Sequence, residues 1–154
     1  MNIAIVGATG NVGRKILEVL EKKELKIDNL YLVASSKSLG KKIKFREKEY
    51  DVVDLDNFDF SKAKITFFAA GGKISKDFAE KASKKSLVID NSSFFRMDPD
   101  VPLIVPQVNS KDLNNIKKNI ISNPNCSTAQ LVIALKPLHD CLLYTSDAAD
   151  DTCC

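Results

Sequence analysis

Residues 2–20 read NIAIVGATGNVGRKILEVL: a short apolar run, then Gly7, Gly10 and Gly13 spaced three apart, then Val12, Ile16, Leu17, Val19 and Leu20 recurring at helical spacing. A strand that passes through a glycine turn directly into a helix leaves few ways to continue. The helix must pack back on the sheet that holds the strand, and the next strand then runs parallel to the first. The rest of the chain repeats this alternation. Strands are expected at 29–35, 64–70, 86–92 and 119–122, with a hairpin or small meander over 41–56. Helices are expected from Ser75 to Lys85, over 110–118, and from Ser127 to His139. Residues 94–109 carry Pro99, Pro102 and Pro106 and cannot form a regular central element. The pattern predicts an α/β fold: a doubly wound, mostly parallel sheet of Rossmann type, with helices on both faces.

Composition agrees with one globular domain able to build a core, since 44% of the 154 residues are hydrophobic and 28% charged. No run of 18 apolar residues occurs, and the N-terminus lacks the basic segment and cleavage site of a signal peptide. A cytoplasmic protein that does not engage membranes is expected. Three of the four cysteines (Cys141, Cys153, Cys154) crowd into the end, CLLYTSDAADDTCC, which contains no Lys, Arg, Ile or Asn although the preceding chain is dense in Lys, Ile and Asn. That end resembles the translation of a sequencing adapter. The expectation is a natural domain over 1–140 that breaks off there, followed by a non-native tail over 141–154. Without the tail's Asp147, Asp150 and Asp151 the net charge rises from +3 to +6. The lysines responsible are scattered without interleaved aromatics, so they read as a solvated surface and not as a nucleic-acid groove. No metal site is read from the sequence.

Three stretches carry chemistry. Glycines in GATGNVG permit a tight turn, let a pyrophosphate approach bare backbone, and bring helix close to strand, while the helix N-terminus offers free N–H groups to the anion. The spacing is G-x-x-G-x-x-G, and the plainer alternative is a turn that only joins strand to helix. At the end of the second strand ASSKSLG supplies Ser35, Ser36, Lys37 and Ser38, with no carboxylate from Ala34 to Lys44. A carboxylate there would hold a ribose 2′-hydroxyl, whereas hydroxyls and a cation suit a 2′-phosphate, so NADP is favoured over NAD. A serine-rich surface loop is the alternative. In ISNPNCST a strand ends in a proline turn and Cys126 arrives at the start of a helix, where the dipole and free N–H groups favour a thiolate and can hold an oxyanion. A lone cysteine can equally be a small core residue, but its neighbours Asn123, Asn125, Ser127 and Thr128 are polar. Arg96, in DNSSFFRMD, follows another strand end and can grip a phosphate or carboxylate in two-pronged fashion, or pair with Asp98 or Asp100. His139 reads as a helix-end residue, too far along to serve Cys126.

With GATGNVG, ASSKSLG, AAGG, VIDNSSFFRMDPDVPLIVPQVN and NPNCST all present in order, residues 1–140 resemble the N-terminal domain of the aspartate-β-semialdehyde dehydrogenase family. The resemblance implies NADPH-dependent reduction of L-aspartyl-4-phosphate to the semialdehyde through a cysteine thioester, with release of inorganic phosphate, in amino-acid biosynthesis leading to lysine, threonine and methionine. It makes Cys126 the nucleophile, and Thr9, Gly10, Asn11 and Val12, beside Gly7 and Gly13, the phosphate loop. Lys37 and Ser38 become 2′-phosphate contacts, Gly71 a further cofactor contact, and Arg96 with Asn91 the phosphate and substrate contacts. Lys37 stands where the family usually has arginine, which keeps the charge and loses the fork. The family's general-base histidine, substrate-binding arginine and glutamine, and dimer-forming second domain are expected beyond Asp140, so the chain alone is expected to be inactive. Rival readings are an N-acetyl-glutamyl-phosphate reductase-like enzyme and a non-catalytic dinucleotide-binding module.

Overall fold

The computed structural model describes residues 1–23 and 25–145. The expected tail over 141–154 lies outside these from residue 146 onward. The chain forms a seven-stranded sheet in the order β3-β4-β2-β1-β5-β6-β7. Its strands are β1 (Asn2–Val6), β2 (Asn29–Ala34), β3 (Lys42–Phe45), β4 (Lys48–Asp54), β5 (Ile65–Phe68), β6 (Leu87–Asp90) and β7 (Ile120–Ser122). All neighbouring pairs are parallel except β3 against β4. The helices are α1 (Asn11–Lys22), α2 (Gly72–Ser83), the single turn α3 (Pro106–Asn109) and α4 (Cys126–Thr145).

Strand β1 is apolar without alternation because both its faces are covered. Ile3 and Ile5 pack with Leu17 and Leu20 of α1 on one side, and Ala4 and Val6 belong to the core that holds Ala79 and Ala82 of α2 on the other. Helix α1 buries Gly13, Leu17 and Leu20, one stripe at intervals of four and three. The stripe of α2 is Ser75, Ala79 and Ala82, all small, which lets that helix lie close to the sheet. The β3–β4 hairpin adds the antiparallel edge, with Phe45 opposite Lys48 across the turn. At its tip Arg46 takes φ +54, held by its amide donating to Glu21 Oε1 at 2.8 Å and its guanidinium donating to the Leu25 carbonyl at 2.9 Å.

The structure departs from the sequence reading at three helices. Helix α2 starts at Gly72 and not at Ser75, because Gly71 turns the chain with φ +87 and the Ser75 amide already bonds back to the Gly71 carbonyl. Residues 110–115 form a 3₁₀ segment in place of a longer helix. Helix α4 passes through Pro137 to Thr145, so His139 lies within it and not at its end. Proline removes one amide donor from that ladder, and the turns on either side continue. The proline-rich stretch is irregular as expected, apart from α3, where Pro106 occupies the first turn and needs no amide partner.

Candidate active site

Parallel strands in an open sheet leave their C-terminal ends along one edge, where ligands collect at the point of reversal in strand order. Here the reversal falls between β2 and β5, on either side of β1. A cleft of about 400 Å³ opens there, walled by Val6, Gly7, Thr9 and Gly10 after β1, by Ala34 and Ser35 at the end of β2, and by Ala69, Ala70, Leu55 and Ile74. The Gly7 and Ala8 amides donate to the Val33 carbonyl at 2.8 and 3.3 Å, and the Gly10 amide to the Gly7 carbonyl at 3.0 Å. These bonds fold the loop flat over the strand ends.

Two of the three glycines are required by contact. A methyl group on Gly13 would lie 2.3 Å from the Gly7 carbonyl oxygen, and one on Gly7 would lie 2.8 Å from the Ala69 carbonyl carbon. Gly7 also has φ +85. Gly10 is freer, with its nearest neighbour at 3.4 Å. It caps α1, whose first amides, Asn11 and Val12 among them, have no partner inside the helix. A narrow main-chain cradle with amides at its lip suits a pyrophosphate, so the residues present fit a dinucleotide.

Ser36–Ser38 form a 3₁₀ turn beside the cleft. Ser38 is buried and its Oγ lies 3.4 Å from Thr9 Oγ1, while Ser35, Ser36 and Lys37 are exposed. Lys37 forms no ion pair among the described residues, which leaves its charge available. Gly71, in its left-handed conformation, caps α2 just beyond Ala70. Val12 faces a separate apolar groove with Ile16, Phe67 and Asn91.

A second group forms over β6 and β7. Asn123 Nδ2 donates to Asn91 Oδ1 at 2.7 Å. Arg96 donates from Nε to the Asn123 carbonyl at 3.1 Å and from Nη2 to the Asn91 carbonyl at 3.2 Å. Its alternative partners are taken, since Asp98 pairs with Lys118 at 2.8 Å and Asp100 with Lys117 at 3.0 Å. The bond from Lys118 and the Asp100 amide hold the Asp98 carboxyl below its ordinary range, and Lys118 is raised in turn. Arg96 is therefore fixed by backbone carbonyls, with guanidinium N–H groups to spare. Three residues past Asn123, Cys126 opens α4 with its side chain exposed. Asn125 caps the helix: its Oδ1 accepts the Ser127 amide at 2.9 Å and lies 3.7 Å from Cys126 Sγ.

The structure thus brings Asn91, Arg96 and the Cys126 turn together, and Gly7, Thr9, Gly10 and Ser35 into one cleft two strands away on the same edge. His139 stays apart, 3.7 Å from Asp140 on α4, which also pairs with Lys136. Sequence reasoning missed the walls given by Leu55 and Ile74, and the clasp between Asn91 and Asn123. Only the fold sets those neighbours side by side. Among the described residues no helix is long and apolar enough to cross a membrane.

Residues 2–116 match the model of the semialdehyde dehydrogenase family's NAD-binding domain. Among curated proteins the chain is 51% identical over 142 residues to the aspartate-semialdehyde dehydrogenase of Legionella pneumophila, covering 91% of this chain and 41% of that protein. It is 53% identical over 141 residues to that of Aquifex aeolicus, covering 90% and 42%. The chain thus spans about two fifths of the length of these relatives. Among solved structures, aspartate semialdehyde dehydrogenase II of Vibrio cholerae complexed with ASA superposes with a TM-score of 0.88 at 47% identity, covering 90% of this chain and 46% of that one. The Candida albicans enzyme with NADP gives 0.74 at 28% identity, covering 90% and 46%. With a glycine cradle at the strand reversal and most of its length matched, the chain belongs to the semialdehyde dehydrogenase family through that family's NAD-binding domain.

Proposed function

We propose that this chain is the cofactor-binding and nucleophile-bearing part of an NADP-dependent aspartate-semialdehyde dehydrogenase, which reduces L-aspartyl-4-phosphate to L-aspartate-4-semialdehyde and releases phosphate. The observation that carries the reading is the exposed thiol of Cys126 at the start of α4, on the same sheet edge as a main-chain cradle for a dinucleotide. The names of the relatives support the substrate, and an NADP-bound neighbour supports the cofactor.

The free main-chain amides of Thr9, Asn11, Val12 and Gly13 would hold the pyrophosphate, while Gly7 and Gly10, whose own amides are committed within the loop, shape the cradle, with Gly71 just beyond Ala70. Ser35, Ser36, Lys37 and Ser38 hold the 2′-phosphate. Arg96, with Asn91 beside it, takes the acyl phosphate through the N–H groups its carbonyl contacts leave free. The Cys126 thiolate attacks the acyl carbon, a C–S bond forms, and the carbon–oxygen bond to phosphate breaks with the electron pair leaving on phosphate. The α4 amides steady the oxygen that gains charge. Reduced NADP, when bound, would supply a hydride to the carbonyl carbon of the resulting thioester. The C–S bond then breaks as the carbonyl re-forms, which releases the aldehyde and restores the thiolate on Cys126.

Proton transfer by a positioned base contributes roughly 10² to 10⁴ in rate, and the proposed base belongs to the part of the enzyme outside this chain. The chain alone is accordingly proposed to bind cofactor without turnover, and the whole enzyme to be a cytoplasmic homodimer. The decisive test is Cys126→Ala in the whole enzyme. Turnover should vanish while NADPH affinity stays within about twofold. Substantial remaining activity would sink the nucleophile assignment and leave a dinucleotide-binding module.

A further inference from the structure

Asp90, the last residue of β6, has no exposed surface and no cationic partner among the described residues. Burying such a group is costly unless its oxygens are fully used. Here they are. Oδ1 accepts Ser75 Oγ of α2 at 2.7 Å and the Ser92 amide at 3.0 Å, and Oδ2 accepts Ser92 Oγ at 2.7 Å. Ser92 Oγ in turn accepts the Phe94 amide at 3.1 Å, so its one hydroxyl proton is committed to Asp90. The Asp90 carbonyl accepts the Asn123 amide at 2.8 Å.

One side chain therefore tethers the 92–94 turn from below, while Arg96, two residues on, reaches back to the Asn91 and Asn123 carbonyls. The tether sets where the arginine starts from, and the carbonyls set where it ends. An aspartate used only to fasten α2 to the sheet needs the Ser75 bond alone. Two of its three bonds go instead to the turn that carries Arg96.

We infer that Asp90 is a positioning residue: through Ser92 it fixes the 92–96 turn and thereby aims the Arg96 guanidinium at the phosphate of the substrate. The role of that phosphate rests on the function proposed above, whereas the tether to Arg96 does not. Asparagine is nearly isosteric and can keep the Ser75 and Ser92 amide bonds on its oxygen. Its amide then points a donor at Ser92 Oγ, whose proton must turn away, and the link to Phe94 is disturbed.

The test uses the ¹⁵N-labelled chain and the Arg96 Nε–H resonance, which is shielded from solvent exchange while it bonds to the Asn123 carbonyl. In Asp90→Asn, strand amides such as Val88 should keep their protection, while the Arg96 Nε–H should exchange roughly three- to tenfold faster, the loss expected for one weakened hydrogen bond. Ser92→Ala, which leaves the acid in place, should give the same result if Asp90→Asn fails to fold. Ser75→Ala should lower the melting temperature and leave Arg96 protected. Unchanged Arg96 protection in a folded Asp90→Asn or Ser92→Ala chain overturns the inference, as does loss of Arg96 protection in Ser75→Ala. In the whole enzyme, the phosphate KM of the reverse reaction should rise several-fold in Ser92→Ala with kcat changed less than about threefold, reflecting weakened binding at one anion contact. A phosphate KM that stays put while Arg96 loses protection would remove the phosphate from the Arg96 assignment and leave the tether standing.

Discussion

Thr9 and Ser38 meet hydroxyl to hydroxyl, Oγ1 of one lying 3.4 Å from Oγ of the other across 29 positions of sequence. This contact joins the glycine loop after β1 to the turn after β2, so that on the proposed function a dinucleotide in the cleft would run from the main-chain amides to the Ser35–Ser38 turn.

On the proposed function, a preference for NADP would rest on Lys37, which is exposed and unpaired among the described residues. The chain is expected to bind NADPH more tightly than NADH, and Lys37→Ala to narrow the ratio by roughly three- to tenfold, the worth of one partly exposed charge contact. Raising the salt from low to physiological should narrow it as well, because exposed charges are screened. Titration of nicotinamide fluorescence reads both. Equal affinities in the unaltered chain would take Lys37 and Ser38 out of the site.

Gly13→Ala and Gly10→Ala should separate cleanly although both lie in one motif. The first drives a methyl group to 2.3 Å from a carbonyl oxygen, an overpacking of backbone on backbone that costs about 1–3 kcal/mol. For a domain of this size that corresponds to a loss of roughly 2–12 °C in melting temperature. The second meets its nearest atom at 3.4 Å and loses only the N-cap preference of glycine over alanine, roughly 0.5–1 kcal/mol. Differential scanning calorimetry checks the contrast; equal melting temperatures would refute the close approach.

The fold class was legible because the central strands announced themselves by apolar content, the 41–56 hairpin by alternation and the turns by glycine or proline, and the parallel sheet followed from the rule that such crossovers return parallel; the strand order is visible only in the fold. The sites were legible in part. Gly7, Gly13 and Cys126 could be placed because motif and element boundary coincide. Arg96 could be flagged but not partnered, since its carbonyl acceptors carry no side-chain signature, and the acids beside it in sequence belong to lysines twenty and seventeen positions away. Asp90 was visible only as a polar end to an apolar strand. Its three donors come from α2 and the following turn, and only the packed sheet gathers them. The end of α4 was read at His139 because the chain from Cys141 onward was set aside as a non-native tail, whereas the helix runs on to Thr145.

Cys126 and Cys141 are both exposed, but only Cys126 begins a helix. Iodoacetamide near neutral pH is expected to label Cys126 several-fold faster than Cys141, since Cys126 stands at the open N-terminal end of α4 whereas Cys141 lies within the helix. Asn125→Ala removes the oxygen that caps Ser127 and should narrow that ratio while lowering stability by about 1 kcal/mol. Peptide mass mapping over a time course gives both rates. Equal labelling of the two cysteines in the unaltered chain would contradict activation by the helix.

The Asp98–Lys118 pair predicts an acid-side dependence of stability. Because the folded Asp98 carboxyl sits below its ordinary range, chiefly through the bond from Lys118, its contribution is present above that range and lost as the pH falls through the folded value. Lys118, raised by the same bond, loses its share only as the pH rises beyond the ordinary lysine range. Asp98→Asn should therefore lower stability at neutral pH by less than about 1 kcal/mol, since both partners are partly exposed. The gap to the unaltered chain should close as the pH drops below the carboxylate range. Urea midpoints across that interval measure it, and a gap that persists at the acid end would assign the effect to packing.

The contact between Gly13 and the Gly7 carbonyl is peptide against peptide, so the shape of the cradle is written in main chain alone. The turn at Ser35–Ser38 contributes through side chains that stand mostly free of the core. Such a division makes the two halves of the cleft separately mutable. On the proposed function, substitutions in the turn would retune which dinucleotide is preferred while the cradle keeps its dimensions, so that cofactor choice can drift without passing through an unfolded or non-binding intermediate.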